Sequence, residues 1–310
     1  MNRSHAWAVI LAGGNGTRLK SLTQLVSGDR RPKQFCPIFG DQTLLAQTRG
    51  RLAQAVPPER TLFAVVKAHE RYYKNDLADV APPQLVVQPQ NKGTAASIAY
   101  SLLRVLEADE DAVVGYFPAD HYFQQDGPFL TVLESAYEAA HQNPDSLVLL
   151  GAEPRHAEVE YGWIEPGDPI AGWAPSTFRQ VRRFWEKPAP EVARTLLLGG
   201  GLWNTFVIVG RVATLLAMIR QAVPDLCRPF ESVEPGLGPW EQEPVLREIY
   251  AQLPAVNFSS RVLAAYPAGL AVLPVTGVEW SDWGTPSRVL ATLRRLGRPV
   301  ATRPRAVLSA

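Results

Sequence analysis

Short apolar runs alternate with segments of helical period through the first half of the chain. The runs Ala6–Ala12, Thr61–Val66, Leu85–Gln88, Ala112–Phe117 and Ser146–Gly151 predict strands. Helices are predicted between them near Thr43–Val56, Ala68–Leu77, Thr94–Glu107 and Pro128–His141. The clearest follows Gly93, where Ala95, Ile98, Ala99, Leu102 and Leu106 recur at i, i+3, i+4, i+7 and i+11. Near-continuous apolar strands separated by such helices call for an α/β fold, a parallel sheet covered on both faces. In such sheets ligands bind beyond the carboxyl ends of the strands.

The second half is less regular. Tyr161–Glu165 and Thr177–Glu186 read as strands, Arg211–Ala222 and Pro244–Gln252 as helices. A final pair is the strand Gly269–Val275 and the helix Pro286–Leu296. The Pro- and Gly-rich stretches Glu165–Pro175 and Glu234–Pro239 read as loops, and the basic end from Arg298 to Ala310 as a loosely held tail.

Composition narrows the function more than the fold. The 310 residues are 46% hydrophobic, enough for a substantial core, with a formal net charge of +1. That balance gives no electrostatic reason to expect nucleic acid or an anionic membrane as partner. Cys36 and Cys227 are too few for a disulfide framework and have no zinc-ligand spacing, so reduced thiols in a cytoplasmic protein are expected. The apolar run at the N-terminus is too short to span a membrane and reads as a buried first strand of a soluble chain.

Candidate chemistry begins directly after that strand, at Leu11-Ala12-Gly13-Gly14-Asn15-Gly16-Thr17-Arg18-Leu19. Glycines let backbone approach a ligand closely, and a run of N–H groups ahead of a helix can cradle phosphate oxygens. The loop ends in Arg18-Leu19 where a Walker A loop needs Gly-Lys-Ser/Thr, and Leu19 stands where a dinucleotide fingerprint needs its third glycine. A nicotinamide-dependent enzyme is thereby disfavoured. Downstream comes Arg30-Arg31-Pro32-Lys33-Gln34-Phe35, and Arg18 with Lys33 could neutralise a triphosphate.

At this point the chain resembles the mannose-1-phosphate guanylyltransferase branch of the sugar nucleotidyltransferases. Gly13–Leu19 and Pro32–Phe35 correspond to its opening GGxGTRL and PKQF segments. Phe117-Pro118-Ala119-Asp120-His121, Glu160-Tyr161-Gly162-Trp163-Ile164, Phe184-Trp185-Glu186-Lys187-Pro188, Leu202-Trp203-Asn204 and Trp280-Ser281-Asp282-Trp283-Gly284 continue it in order. The resemblance implies a Rossmann-like, GT-A-like fold with a mixed, mainly parallel sheet flanked by helices and a β-rich sugar-binding subregion. It implies one catalytic domain over residues 1–297, with a nucleotide half to about 150 and a sugar half beyond.

By the same resemblance, Asp120 and Asp282 converge on one Mg²⁺, an ion usually held by one or two carboxylates plus phosphates and waters. Arg18 and Lys33 would grip the triphosphate, and Lys187 the sugar phosphate. The nucleotide would lie on Leu11, Ala12, Gly13, Gly14, Gly16, Thr17, Gln88, Gly93 and Thr94, the sugar on Gly162, Glu186 and Asn204. His121 reads as structural or as supporting a neighbouring ligand. Glu186 and Lys187 are adjacent, so they leave opposite faces of a strand unless it bends or ends before Pro188. The implied partners are GTP and mannose 1-phosphate, and a homodimer.

The chain also departs from that pattern. The stretch between Arg18 and Pro32 is longer than usual and reads as an extended loop. Gln88 stands where the branch carries Glu; an amide both donates and accepts, so guanine, thymine or uracil could pair with it. Thr205-Phe206-Val207 replaces Ser-Gly-Met, and Val256-Asn257-Phe258-Ser259 replaces a segment containing Asp-Tyr. These departures keep open a uridylyl- or thymidylyltransferase acting on glucose 1-phosphate, and a non-catalytic binder of nucleotide sugars.

Overall fold

The computed structural model describes residues 3–234 and 239–298. Eleven strands are present among them: β1 Ala6–Leu11, β2 Thr61–Val66, β3 Leu85–Gln88, β4 Val113–Pro118, β5 Tyr122–Phe123, β6 Leu147–Ala152, β7 Gly162–Pro169, β8 Arg179–Glu186, β9 Leu202–Arg211, β10 Leu270–Val275 and β11 Trp280–Ser281. Nine form one sheet in the order β3-β2-β1-β4-β9-β6-β10-β8-β7. β1 runs parallel to β2 and β4, β2 to β3, and β10 to β6, while β9 lies antiparallel between β4 and β6. The strands of both halves therefore share one mixed sheet.

Alternation along each strand divides the core. Val9, Ala64 and Val114 face one hydrophobic cluster, which the helix Thr94–Ala108 covers with Ala95, Ile98, Ala99 and Leu102. Ala8, Ile10 and Phe63 face the other, covered by Phe129, Leu133 and Ala136 of the helix Asp126–Gln142. Burial on both faces explains why these strands read as continuous apolar runs.

The first-half strands fall within a residue of expectation, but other segments differ. Residues Lys20–Ser27, expected as loop, form a helix that buries Leu22 and Val26. The helix Pro190–Leu198 and the strand β9 had no predicted counterpart, and β7 continues through Pro169 where a loop was expected from Glu165. The helix predicted from Pro244 begins at Pro239 and carries Pro244 inside it. Most of the loop expected over Glu234–Pro239, and the tail beyond Arg298, lie outside the described residues.

A third, smaller core decides where the site forms. Leu19, Leu22 and Val26 pack with Cys36, Ile38, Tyr122 and Trp283, and with Val289 and Leu293 of the helix Pro286–Arg295. The extra helix after the glycine loop is thus clamped to the helix Pro286–Arg295. Cys36 and Cys227 are both free and buried.

Candidate active site

The glycine loop leaves the end of β1 and is held from below by side-chain amides. Buried Gln34 donates from Nε2 to the carbonyls of Ala12 (2.8 Å) and Gly14 (2.7 Å), and Asn91 Nδ2 donates to that of Gly13 (3.0 Å). Three successive carbonyls are thereby fixed. Gly16 adopts φ +58°, and a Cβ there would lie 3.0 Å from both the Lys33 nitrogen and the Pro32 Cα. Gly16 is therefore required by packing against the segment that carries Lys33.

Beyond the carboxyl ends of β1 and β4 opens a cleft of about 520 Å³. Leu11, Gly13, Gly14, Gln88, Gly93, Thr94 and Asp120 all line it. Ala12 is buried beneath the loop, and Gly16, Thr17 and Arg18 are not among the lining residues. Arg18 is half exposed at the loop's outer end, where its Nη1 lies 3.3 Å from Glu160 Oε2, just ahead of β7.

At the far end of the cleft Gln88 is buried and already engaged. Tyr250 donates its hydroxyl to Oε1 (3.2 Å), and Nε2 donates to Ser97 Oγ (3.1 Å). An amide oxygen has two lone pairs, so one acceptor position remains for a ligand. Gly93, φ +85°, packs directly on Val256: a Cβ would stand 2.4 Å from the Val256 carbonyl oxygen. Ala95 N–H bonds that same oxygen and Phe258 N–H bonds Thr94 Oγ1 (2.9 Å), so residues 255–257 form the cleft's second wall.

The two candidate metal carboxylates are brought together by a two-stranded ribbon. β5 and β11 pair antiparallel, Tyr122 opposite Ser281 and Phe123 opposite Trp280. That register sets Asp120-His121 alongside Asp282. Trp283, at φ +46°, is fully buried and stacks on Tyr122 with ring centroids 4.9 Å apart. Gly284 is needed beside it, since a Cβ would lie 2.4 Å from Asp282 Oδ2.

Lys33 lies between the two segments. Its Nζ is 3.3 Å from Asp120 Oδ2 and donates to the backbone carbonyls of Asp282 and Trp283 (3.2 Å to the latter). With its side chain only 9% exposed, it is committed to the carboxylate pair rather than reaching into solvent. His121 lines the cleft beside Asp120, its Nδ1 3.1 Å from the Thr205 carbonyl oxygen and its ring edge-on to Trp280. Burial pushes the imidazole below its ordinary value, against the pull of Asp120, which keeps it neutral.

Asp282 also bonds outward. Burial pushes its carboxyl up, but Lys33 and Arg288 together with the Gly284 N–H (2.8 Å) outweigh that and hold it below the usual range. Arg288 in turn places Nη2 2.7 Å from Glu158 Oε2 and lies over the Tyr161 ring. Neither Arg288 nor Glu158 was a sequence candidate. A signal existed: Arg288 is in the first turn of the helix capped by Thr285, where the helix dipole disfavours a cation that has no carboxylate partner.

The sugar candidates form a second cluster. β7 and β8 pair Gly162 with Glu186, and a Cβ on Gly162 would lie 3.1 Å from Glu186 Oε2 and 3.3 Å from the Asn204 Cβ. Burial raises the Glu186 carboxyl above its ordinary value, with Lys187 and a hydrogen bond from Asn257 opposing. β8 ends at Glu186, and Lys187 takes φ +49° with its N–H on the Tyr161 carbonyl (3.2 Å), the break that adjacent functional side chains require. Lys187, Phe206 and Trp283 are the non-glycine residues with positive φ among those described, and each lies within two residues of a site candidate.

Among the described residues no group of three or more His, Cys, Asp and Glu side chains could hold a metal by itself. Two carboxylates meeting across a lysine suit an ion whose remaining ligands are substrate oxygens and water.

A mixed α/β sheet with a braced glycine loop, facing carboxylates and a buried lysine at its carboxyl edge defines a protein class. The profile of the nucleotidyl transferase family matches residues 7–293, and the chain belongs to that family. It is 30% identical over 234 residues to mannose-1-phosphate guanylyltransferase 2 of Escherichia coli O157:H7, covering 73% of this chain and 47% of that protein. To mannose-1-phosphate guanylyltransferase ManC of Salmonella typhimurium it is 27% identical over 291 residues, 92% of this chain and 59% of the relative. The chain thus spans about half the length of the curated relatives it matches. Among solved structures, a Thermus thermophilus protein described as a mannose-1-phosphate geranyltransferase superposes with a TM-score of 0.78 at 29% identity, over 93% of this chain and 79% of that one. No helix among the described residues is long and apolar enough to cross a membrane.

Proposed function

We propose that the chain transfers a nucleotidyl group from a nucleoside triphosphate to a sugar 1-phosphate, with GTP and mannose 1-phosphate as the preferred pair. The observation that carries this reading is the β5–β11 ribbon, which sets Asp120 and Asp282 on either side of Lys33 at one end of the cleft. Gln88 and Gly93 stand at the other end, and Glu186 with Asn204 beyond the wall. The names of the relatives support the choice of sugar and base.

A sugar phosphate oxygen bonds to the α-phosphorus, the bond from that phosphorus to the β-bridging oxygen breaks, and pyrophosphate leaves. The nucleophile is already an anion, so no general base is needed. The protein's task is positioning and charge stabilisation. Gln88 and the 255–257 wall fix the base, Glu186 and Asn204 the sugar hydroxyls, and Lys187 the sugar phosphate. Lys33 holds the Asp120 and Asp282 segments together, and Arg18 at the outer end of the loop offsets charge on the triphosphate. Asp120 and Asp282 would hold a Mg²⁺, which when bound supplies Lewis-acid stabilisation of the phosphates.

Pyrophosphate release from each of four nucleoside triphosphates with mannose 1-phosphate and glucose 1-phosphate tests the reading. Turnover that depends on both substrates and on Mg²⁺ and is fastest with GTP and mannose 1-phosphate is expected. Binding of a nucleotide sugar without turnover of any pair would instead establish a non-catalytic binder.

A further inference from the structure

Phe206 is the one described non-glycine residue that combines a positive φ with a place on the cleft wall. At φ +61° a bulky side chain is a conformational outlier, and such outliers persist where the surroundings over-determine them. The surroundings are explicit. β9 advances from Asn204 to Ile208 while its partner β6 goes only from Gly151 to Leu149, so the ladder bulges between them. Thr205 Oγ1 donates to the Leu150 carbonyl (2.7 Å) and receives the Val207 N–H (3.2 Å). Phe206 N–H bonds Asn204 Oδ1 (3.1 Å), and the Thr205 carbonyl receives His121. The bulge is thus locked from both sides.

Its effect is to hold an aromatic ring, half-buried and edge-on to Phe258, at the seam between two groups of candidate residues. On one side are Asp120, His121 and the nucleotide cleft. On the other is Asn204, two residues away and hydrogen-bonded to the Phe206 backbone, with Glu186 joined through Asn257. Glycine would satisfy this backbone without strain, so the ring adds contacts that the backbone itself does not need.

We propose that Phe206 sets the size of the sugar phosphate that the site admits: its ring closes the seam to hexose 1-phosphates carrying bulky substituents, such as N-acetylated hexosamine 1-phosphates. This rests on the sugar-phosphate reading above. Removing the ring leaves room for an acyl group, and pockets discriminate added apolar bulk by about 10–200-fold.

The test compares kcat/KM for mannose 1-phosphate and an N-acetylhexosamine 1-phosphate in the full-length wild type, Phe206→Gly, Phe206→Asn and Phe206→Leu. Gly and Asn both tolerate the left-handed backbone, and Leu keeps apolar volume. In Gly and Asn variants that melt cooperatively, the ratio is expected to shift by about tenfold or more toward the acetylated substrate, while Leu stays within about threefold of wild type. An unchanged ratio in the folded Gly and Asn variants overturns the proposal. A wild type inert with every sugar phosphate would instead remove the functional reading. The same ratio is then read as calorimetric dissociation constants for the two sugar phosphates, and an unchanged binding ratio overturns the size role as well.

Discussion

Arg288 holds Asp282 at 3.1 Å and ties it to Glu158 on a segment more than one hundred residues earlier in the chain. Both side chains of the Arg288–Asp282 pair are only 17% exposed. Breaking a buried pair from one side leaves an uncompensated charge, which is worse than never having had the pair. Arg288→Met keeps an apolar stem and removes the guanidinium, which lies over the Tyr161 ring. We expect it to cost about 3 kcal/mol, the low end for such a loss because some solvent remains. Denaturant unfolding checks this, and turnover should fall with it as Asp282 loses its orientation. A variant as stable as wild type would show that the arginine is merely accommodated there.

Lys33 offers a sharper test of charge placement. Its ammonium bonds Asp120 and two carbonyls of the Asp282–Trp283 turn, so it neutralises and orders both carboxylate segments. Lys33→Ala should lower the rate of pyrophosphate release by a factor on the order of 10²–10³, as for loss of one preorganised cationic donor. Asp120→Asn should do the same and also remove any Mg²⁺-induced rise in melting temperature, measured with and without chelator. Retention of near-wild-type turnover by either variant would exclude the carboxylate–lysine cluster as the reaction centre.

These two cases also mark what could be read from the chain alone. Thr61–Val66 and Leu85–Gln88 were legible to the residue because both faces of each strand are covered, making the apolar run continuous. The glycine loop, Lys33, Asp120 and Asp282 were legible as motifs. β9 was not, because Leu202-Trp203-Asn204 attracted a motif reading and its antiparallel insertion between β4 and β6 depends on distant partners. The helix Lys20–Ser27 was hidden by its single turn of apolar contacts, with Leu25 left 63% exposed. Arg288 with Glu158, and Gln34 under the glycine loop, act across contacts that no local pattern encodes. Gln88 was legible as a candidate but its Tyr250, Ser97 and Val65 partners were not, and they leave it one open acceptor position.

Gly93 connects the Gln88 end of the cleft to its second wall. Its φ +85°, ψ 176° lies in a region that is essentially glycine-only, and an added Cβ would meet the Val256 carbonyl at 2.4 Å. Gly93→Ala should therefore destabilise by about 2 kcal/mol from backbone conformation alone. It should also displace Val256 and Asn257 and raise the KM for nucleotide more than that for sugar phosphate. Steady-state kinetics with each substrate varied separately, beside a thermal melt, distinguish this from general loss of structure.

Stability toward acid should depend on Asp109, which anchors the first strand. Its carboxylate accepts Trp7 Nε1–H (2.9 Å), lies 2.9 Å from His5 Nδ1 and receives the Asp111 N–H (3.1 Å). Burial pushes the carboxyl up, but the bonds from Trp7 and His5 outweigh it, and the net shift is below the ordinary 3.8. The sign follows from linkage: a depressed folded-state value means the unfolded chain binds the proton more tightly. The stabilisation is complete above 3.8 and disappears as pH falls through the lower folded-state value. Asp109→Asn should lower stability by about 1–2 kcal/mol at pH 7, the loss expected for charge-assisted hydrogen bonds. The gap between wild type and variant should close as melts are taken from about pH 4 toward about pH 2. A gap that stays constant over that range would show that Asp109 acts through shape, not through its charge.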